Sequence, residues 1–334
     1  MLDKNIVEST NSTLTRLYYT AKPAIPRSLQ LRLRRWRARQ KRQQFRNVWP
    51  IDPGAAVPPQ NWSGWPVKKR FAVVLTHDVE SAKGHEKCLR LADLEASLGF
   101  KSSFNLVPER YSVSAELRQK LVELGFEIGV HGLNHDGKLF RSMDIFEQRA
   151  RAINRYLEEW DAVGFRAPAM HHRFDWLLDL DIEYDASSFD SDPFEPQCDG
   201  VKTIFPFQVI SQNNGKQFVE LPYTLPQDHC LFIILREKNI GIWQDKVDWI
   251  AKNGGMVLVN THPDYMNFHG GTLGEEEYPV AFHEALLNYL KKRYAGQYWH
   301  ALPRDVARFF QTTQQADSHK TKHRLREEWQ QSNE

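Results

Sequence analysis

An unbroken apolar run, Phe71-Ala-Val-Val-Leu75, passes directly into Thr76-His77-Asp78-Val79-Glu80. With Val73 and Val74 at its centre it predicts a buried strand of a parallel sheet rather than a short helix. Its C-terminal end carries His77, Asp78 and Glu80, at the edge where α/β sheets collect functional groups. Downstream the pattern alternates. Leu91, Leu94 and Leu98 share a helical face that stops at Gly99, and Ser103 to Val107 reads as the next strand. Ser114 is placed to cap a helix carrying Leu117, Leu121 and Leu124, which ends at Gly125; Phe126 to Val130 is a third strand. A helix opened by Asp144 and Glu147 at capping-box spacing runs to about Trp160, followed by a strand from Val163 to Arg166. Between 181 and 240 the periodicity weakens, leaving short strands near Tyr184 to Ser187, Thr203 to Val209 and Phe218 to Leu221. A helix from Ile242 to Lys252, the strand Met256 to Thr261, a helix around Glu276 to Tyr294, a strand near Trp299 and a helix from Pro303 complete the series.

Strands alternating with helices at this spacing imply parallel pairing with right-handed crossovers. The number of repeats favours a closed ring over an open sheet, so the expected fold is α/β, an irregular (β/α) barrel of about seven strands over residues 67–311. Before it, residues 49–66 form a connector rich in proline and tryptophan, which regular helix and central strand both reject. Residues 1–48 read as a basic helical extension. Residues 312–334 are polar and lack an apolar stripe, which predicts a flexible tail or a loosely docked helix.

Composition refines this outline. The 334 residues are 41% hydrophobic, enough for one large domain, and the formal net charge is only +2. The charge is uneven: from Arg27 to Arg46, Arg32, Arg34, Arg35, Arg37, Arg39, Lys41 and Arg42 run without an acid, interleaved with Leu29, Leu31, Leu33 and Trp36. Such a helix can lie on an anionic membrane, contact nucleic acid, or pack its leucines inward with the arginines solvated. Outside this arm no basic and aromatic platform occurs, so no nucleic-acid partner is expected. Cys88, Cys198 and Cys230 are too scattered for a disulfide framework or a thiolate metal site. Without an apolar stretch of signal-peptide or membrane-span length, the expectation is a cytoplasmic protein, peripheral at the inner membrane face if the basic helix binds lipid. No Gly-x-Gly-x-x-Gly follows the first strand and no phosphate loop occurs, which removes the main signs of a nucleotide cofactor.

Candidate chemistry gathers at four strand ends. The third strand leads into His131-Gly-Leu-Asn-His135; two imidazoles four residues apart can face one way on a helical turn and suit a borderline cation such as zinc, though two capping or surface histidines would give the same spacing. The fourth ends in Arg166-Ala-Pro168-Ala-Met-His171-His172, and Met256 to Thr261 ends in His262-Pro-Asp264-Tyr265. Acids, imidazoles and a guanidinium on one rim are what a hydrolytic metal site on a barrel requires. Trp176, Trp243 and Trp249 are open to a sugar-stacking or a core role, and Asp185, Asp190 and Asp192 to lining a groove or capping turns.

In this order, the motifs between Phe71 and Phe310 resemble the polysaccharide deacetylase superfamily, the NodB homology domain or carbohydrate esterase family 4. The first motif of that family is Thr-Phe-Asp-Asp or an Asp-x-Asp variant; here it is Thr76-His-Asp78-Val-Glu80, an Asp-x-Glu form. The resemblance implies Asp78 as general base, Glu80, His131 and His135 as metal ligands, Arg166 orienting the base, and His262 as general acid. Pro168 belongs to the Arg-x-Pro motif, whose usual following Gly is absent, and Val259 to His262 matches the Leu-x-His motif loosely. Pro168, His171, His172, Asp264 and Tyr265 are expected at the substrate, with Asp264 also a candidate partner of His262. The activity implied is metal-dependent removal of an N-acetyl or N-formyl group from a nucleotide-linked or lipid-linked sugar during bacterial surface polysaccharide assembly, with Zn2+ expected and Co2+ able to replace it. The alternatives are a metal-free C–N hydrolase of the same superfamily and a catalytically degenerate carbohydrate-binding or scaffolding protein.

Overall fold

A computed structural model of the chain describes residues 26–314. Helix α1 (Arg27–Gln44) precedes the barrel, and two short turns, Pro53–Ala56 and Pro66–Lys68, lie in the connector. Next come β1 (Phe71–Val79), α2 (Cys88–Ser97), β2 (Ser103–Leu106), α3 (Ala115–Glu123), β3 (Glu127–His131), α4 (Met143–Glu159) and β4 (Gly164–Arg166). The second half is less regular: β5 (Tyr184–Asp185), β6 (Phe207–Ile210), β7 (Gln217–Glu220), α5 (Gly241–Asn253), β8 (Met256–Thr261), α6 (Ala281–Arg293) and β9 (Tyr298–His300), then a helix over 303–314.

The main sheet runs β9-β1-β2-β3-β4-β5-β7-β6, and β8 also pairs with β1. All pairings are parallel except that of β6 with β7. Beyond β7, Tyr223 bridges Phe189 and Leu225 bridges Val259 of β8, which completes a ring of β1, β2, β3, β4, β5, β7 and β8. This is the expected (β/α) barrel. β5, β6 and β7 are short, which is why their periodicity is faint.

β1 is buried along its whole length. Ala72 and Val74 point into the barrel with Leu258, Val219 and Tyr184, while Phe71, Val73 and Leu75 face the helices. The two-residue period of a strand extends this alternation to the functional end: Thr76 and Asp78 face inward and His77 outward. There, His77 Nε2 lies 2.9 Å from Glu95 Oε1 of α2, and His283 Nε2 of α6 reaches the same oxygen at 2.8 Å. All three side chains are sealed from solvent. His77 therefore clamps two helices to the strand and does not belong with Asp78 and Glu80 as a ligand.

Helix starts follow local chemistry. Ser114 caps α3, accepting from the Leu117 amide at 3.1 Å. α4 is capped by Ser142, which accepts from the Ile145 amide, and not by the Asp144–Glu147 pair, which sits inside the first turns. α6 begins at Ala281, later than the expected Glu276, because residues 266–279 form a small ribbon. The expected tail from residue 312 starts within the last helix; residues 315–334, like residues 1–25 of the extension, lie outside the described part. Trp243 is fully buried against Phe232 and is a core residue rather than a stacking platform, while Trp176 is half-buried against the stacked pair Phe140 and Phe146 with Arg173 over its ring. Asp185, Asp190 and Asp192 are also buried, with Asp185 on Ser187 and Asp190 2.7 Å from Lys246.

Candidate active site

Strand register assembles the site. Asp78 on β1 lies beside Asn105 on β2, and His131 on β3 beside Arg166 on β4. Asp78 Oδ1 accepts from Asn105 Nδ2 at 2.9 Å and Arg166 Nη1 at 3.1 Å; Oδ2 accepts from Asn260 Nδ2 at 2.7 Å. Burial alone would favour the neutral acid, but His131, Arg166 and His262, with the Asn105 amide, hold this carboxyl well below its usual range. It is an anion held in one orientation. Arg166 is itself immobilised, donating to Thr76 Oγ1, Asn260 Oδ1 and the Ala186 carbonyl, while its buried Nη2 has no partner.

Glu80, His131 and His135 bring one ligand atom each to within 4.8 Å of one another. His131 Nδ1 donates to the Arg166 carbonyl at 3.0 Å, which leaves Nε2 with its lone pair toward Glu80 and His135. Burial lowers the His131 pKa to about 4, so the ring is neutral, the form a metal needs. His135 Nε2 is buried 3.0 Å from Glu80 Oε1 yet makes no hydrogen bond, an orphaned nitrogen aimed at a carboxylate. Two imidazoles and a carboxylate converging with one ligand atom each fit a divalent cation of zinc type. The pair is not on a helical turn, as its spacing suggested: the chain leaves β3 through Gly132 (φ 61°) and folds back, with His135 itself at φ 53°.

His262 follows β8 on the Glu80 side, its Nε2 3.8 Å from Glu80 Oε1. Its Nδ1 lies 2.7 Å from Asp228 Oδ1, and its backbone amide donates to Asp228 Oδ2 at 2.8 Å. Burial would lower the His262 pKa, but Asp228, then Glu80 and Asp78, raise it to about 10, so it is a cation at neutral pH. The rim thus sets an anionic carboxylate and a cationic imidazole beside Glu80, His131 and His135.

Solved structures share this barrel. It superimposes on a Mycobacterium smegmatis structure assigned as a polysaccharide deacetylase with a TM-score of 0.57 at 17% identity, covering 75% of this chain and 93% of that one. A Pseudomonas aeruginosa PAO1 structure with the same assignment gives 0.54 at 15% identity, over 73% and 92%. The chain has the polysaccharide deacetylase fold. The same fold carries the allantoinase Puue, which superimposes with a TM-score of 0.57 at 16% identity over 75% and 93% of the two chains. No family model and no curated protein matches the sequence.

Within the deacetylase fold, the remaining expected residues divide. Tyr265 is at the site, its hydroxyl donating to Glu80 Oε2 at 3.2 Å and its ring 5.2 Å from that of His262. Pro168 and His171 line a small cleft beside His135, together with Leu133, Asn134 and Arg149. His172 is turned away: Nδ1 bonds the Met170 carbonyl and the ring stacks on Phe174. Asp264 is not the partner of His262. Its carboxylate accepts from Ser81 Oγ and, at 3.0 Å, from the Glu80 amide, so it shapes the turn that presents Glu80.

Three residues escaped sequence reasoning. Asn105 and Asn260 were visible as polar positions inside apolar strands, a signal of a buried partner. Asp228 opens the π-turn His229–Ile234, in the stretch of weakest periodicity, and no motif marks it.

Proposed function

We propose that the chain is a metal-dependent hydrolase that removes an N-acetyl or N-formyl group from a nucleotide-linked or lipid-linked sugar in bacterial surface polysaccharide biosynthesis. It would act in the cytoplasm, with residues 27–46 in peripheral contact with the inner membrane face. The observation that carries the reading is the Glu80, His131 and His135 group flanked by anionic Asp78, 3.9 Å from His131 Nε2, and by cationic His262. A divalent ion held there, zinc with cobalt as a substitute, would supply a polarised carbonyl and an acidified water. Asp78 Oδ2, the carboxylate oxygen nearest His131, is the proton acceptor, and Arg166, Asn105 and Asn260 keep it aimed. His262 Nε2 donates its proton to the departing sugar amine, and Asp228 holds the ring and its charge. The products are an amino sugar and acetate or formate. Three free thiols support a reducing compartment.

A second reading is C–N hydrolysis without a metal on the same scaffold, a fold that an allantoinase shares. The test is metal content of the wild type beside Glu80→Ala and His131→Ala, with acetate release from a panel of N-acetylated sugar donors. Bound metal in the wild type, lost in both variants together with hydrolysis, supports the first reading. A wild type that takes up neither zinc nor cobalt yet hydrolyses an amide supports the second; no hydrolysis with full retention of glycan binding would leave a binding protein.

A further inference from the structure

Helix α1 packs on loops of the catalytic rim. Arg35 donates to the carbonyls of Ile233 and Glu275, Lys41 to that of Pro193, and Arg42 pairs with Glu237. Ile233 lies in the π-turn that begins beside Asp228, and the ring of His229 in that turn packs at a tilt against Tyr265, centroids 5.1 Å apart. Since the Tyr265 hydroxyl donates to Glu80, the helix is three contacts from that carboxylate.

Only Gln30, Leu31, Arg35 and Ala38 of α1 are buried. The expectation that its leucines would pack inward holds for Leu31 alone. Leu29, Leu33 and Trp36 remain 46%, 41% and 57% exposed, and at steps of four and three residues they form one stripe along the outer face. Arg32 and Arg39 flank this stripe on one side and Arg37 on the other, by the 100° turn per residue of an α-helix. Among the described residues none of these three arginines makes a hydrogen bond or an ion pair. The helix contains no acid at all. A packed surface helix would turn its apolar stripe inward and leave only charge outside; α1 presents leucine, tryptophan and unneutralised arginine together.

We infer that the outer face of α1 is a docking surface for an anionic lipid bilayer, which sets the catalytic rim at the membrane and selects a lipid-linked sugar as substrate. Leucines and tryptophan enter the headgroup boundary and the arginines meet lipid phosphates. The helix lies on the membrane, since no helix among the described residues is long and apolar enough to cross one. For the substrate this rests on the deacetylase reading; for the surface it rests on α1 alone.

The test uses the full chain and vesicles of phosphatidylcholine with or without phosphatidylglycerol. The wild type should sediment with the anionic vesicles and be released by salt. Combined Leu29→Ser, Leu33→Ser and Trp36→Ser, and separately combined Arg32→Gln, Arg37→Gln and Arg39→Gln, should each weaken binding roughly tenfold or more. Both variants should hydrolyse a soluble N-acetylated nucleotide sugar or short glycan as the wild type does, and a vesicle-borne lipid-linked one more slowly. Equal binding to neutral and anionic vesicles, or variants that bind like the wild type, would overturn the inference. So would a wild-type dimer in light scattering that the apolar triple variant dissolves, without vesicle binding. If vesicle binding behaves as expected but no donor is hydrolysed, the deacetylase reading fails and the docking surface stands.

Discussion

Asp228 grips His262 twice, through the ring at 2.7 Å and through the backbone amide at 2.8 Å, across 34 residues of sequence. The carboxylate fixes both the orientation and the charge of the imidazole. A histidine whose folded pKa is raised stabilises the fold fully below its unfolded value of about 6.5 and loses that contribution as pH climbs through about 10. Asp228→Asn should therefore move the alkaline limb of the kcat/KM profile to lower pH and reduce kcat by roughly 10²- to 10⁴-fold. Profiles of the two proteins on one amide substrate decide it; an unmoved limb would separate Asp228 from the proton donor.

Asp78→Asn removes the proton acceptor while leaving Glu80, His131 and His135 in place. The variant should keep its metal and lose hydrolysis by roughly 10²- to 10⁴-fold. Metal analysis beside turnover checks this, and loss of metal in Asp78→Asn would move Asp78 into the ligand set.

Gly132 sits at φ 61°, where a Cβ would meet the Pro168 ring at 2.6 Å. Gly132→Ala should cost about 1–3 kcal/mol in unfolding free energy and weaken metal binding, although it touches no ligand, because it displaces the turn from His131 to His135. Denaturant unfolding and metal titration report the two effects; unchanged metal affinity would show that the turn is not needed to set the pair.

Glu95 joins His77 and His283 in a buried cluster. Burial opposes its ionisation, but the two histidines hold its pKa well below the usual value. Its stabilising contribution is present above the unfolded value of about 4.3 and is lost as pH falls below that toward the depressed folded value. Glu95→Ala should cost about 3–5 kcal/mol, as expected when one member of a buried pair is removed. The metal site should survive at a temperature where the variant is folded; unfolding curves from pH 3 to 7 provide the measurement.

The elements that could be read from sequence are those long enough to show a period. β1, β8 and the helices around Leu91, Leu117 and Trp249 declare themselves, and the residues at their ends come together as the motif order implied. β5 is only two residues long, too short for alternation to register. Asp228 went unseen because its tie to His262 is a tertiary contact from an irregular turn, whereas Asp264 drew attention merely by standing two residues away. The same limit applied to His77: position next to Asp78 suggested shared chemistry, and only the pleat separates them. In α1 the spacing of leucines was visible, but which of them would face the barrel was settled by Arg35 reaching the Ile233 carbonyl.

On β1, therefore, neighbouring positions answer to different demands: Asp78 to the reaction and His77 to the cohesion of two helices. Moving the strand one way by one residue would seat the His77 imidazole among Arg166 and Asn260, with Thr76 against Glu95; moving it the other way would drive the Asp78 carboxylate against Glu95, with Val79 among Arg166 and Asn260. Pairing with β2, β8 and β9 at once holds the register in which neither error occurs. A one-residue deletion between Phe71 and Leu75 that shifts the far half of the strand would thus turn Asp78 away from Arg166 and toward Glu95, so the length of this strand is as constrained as its composition.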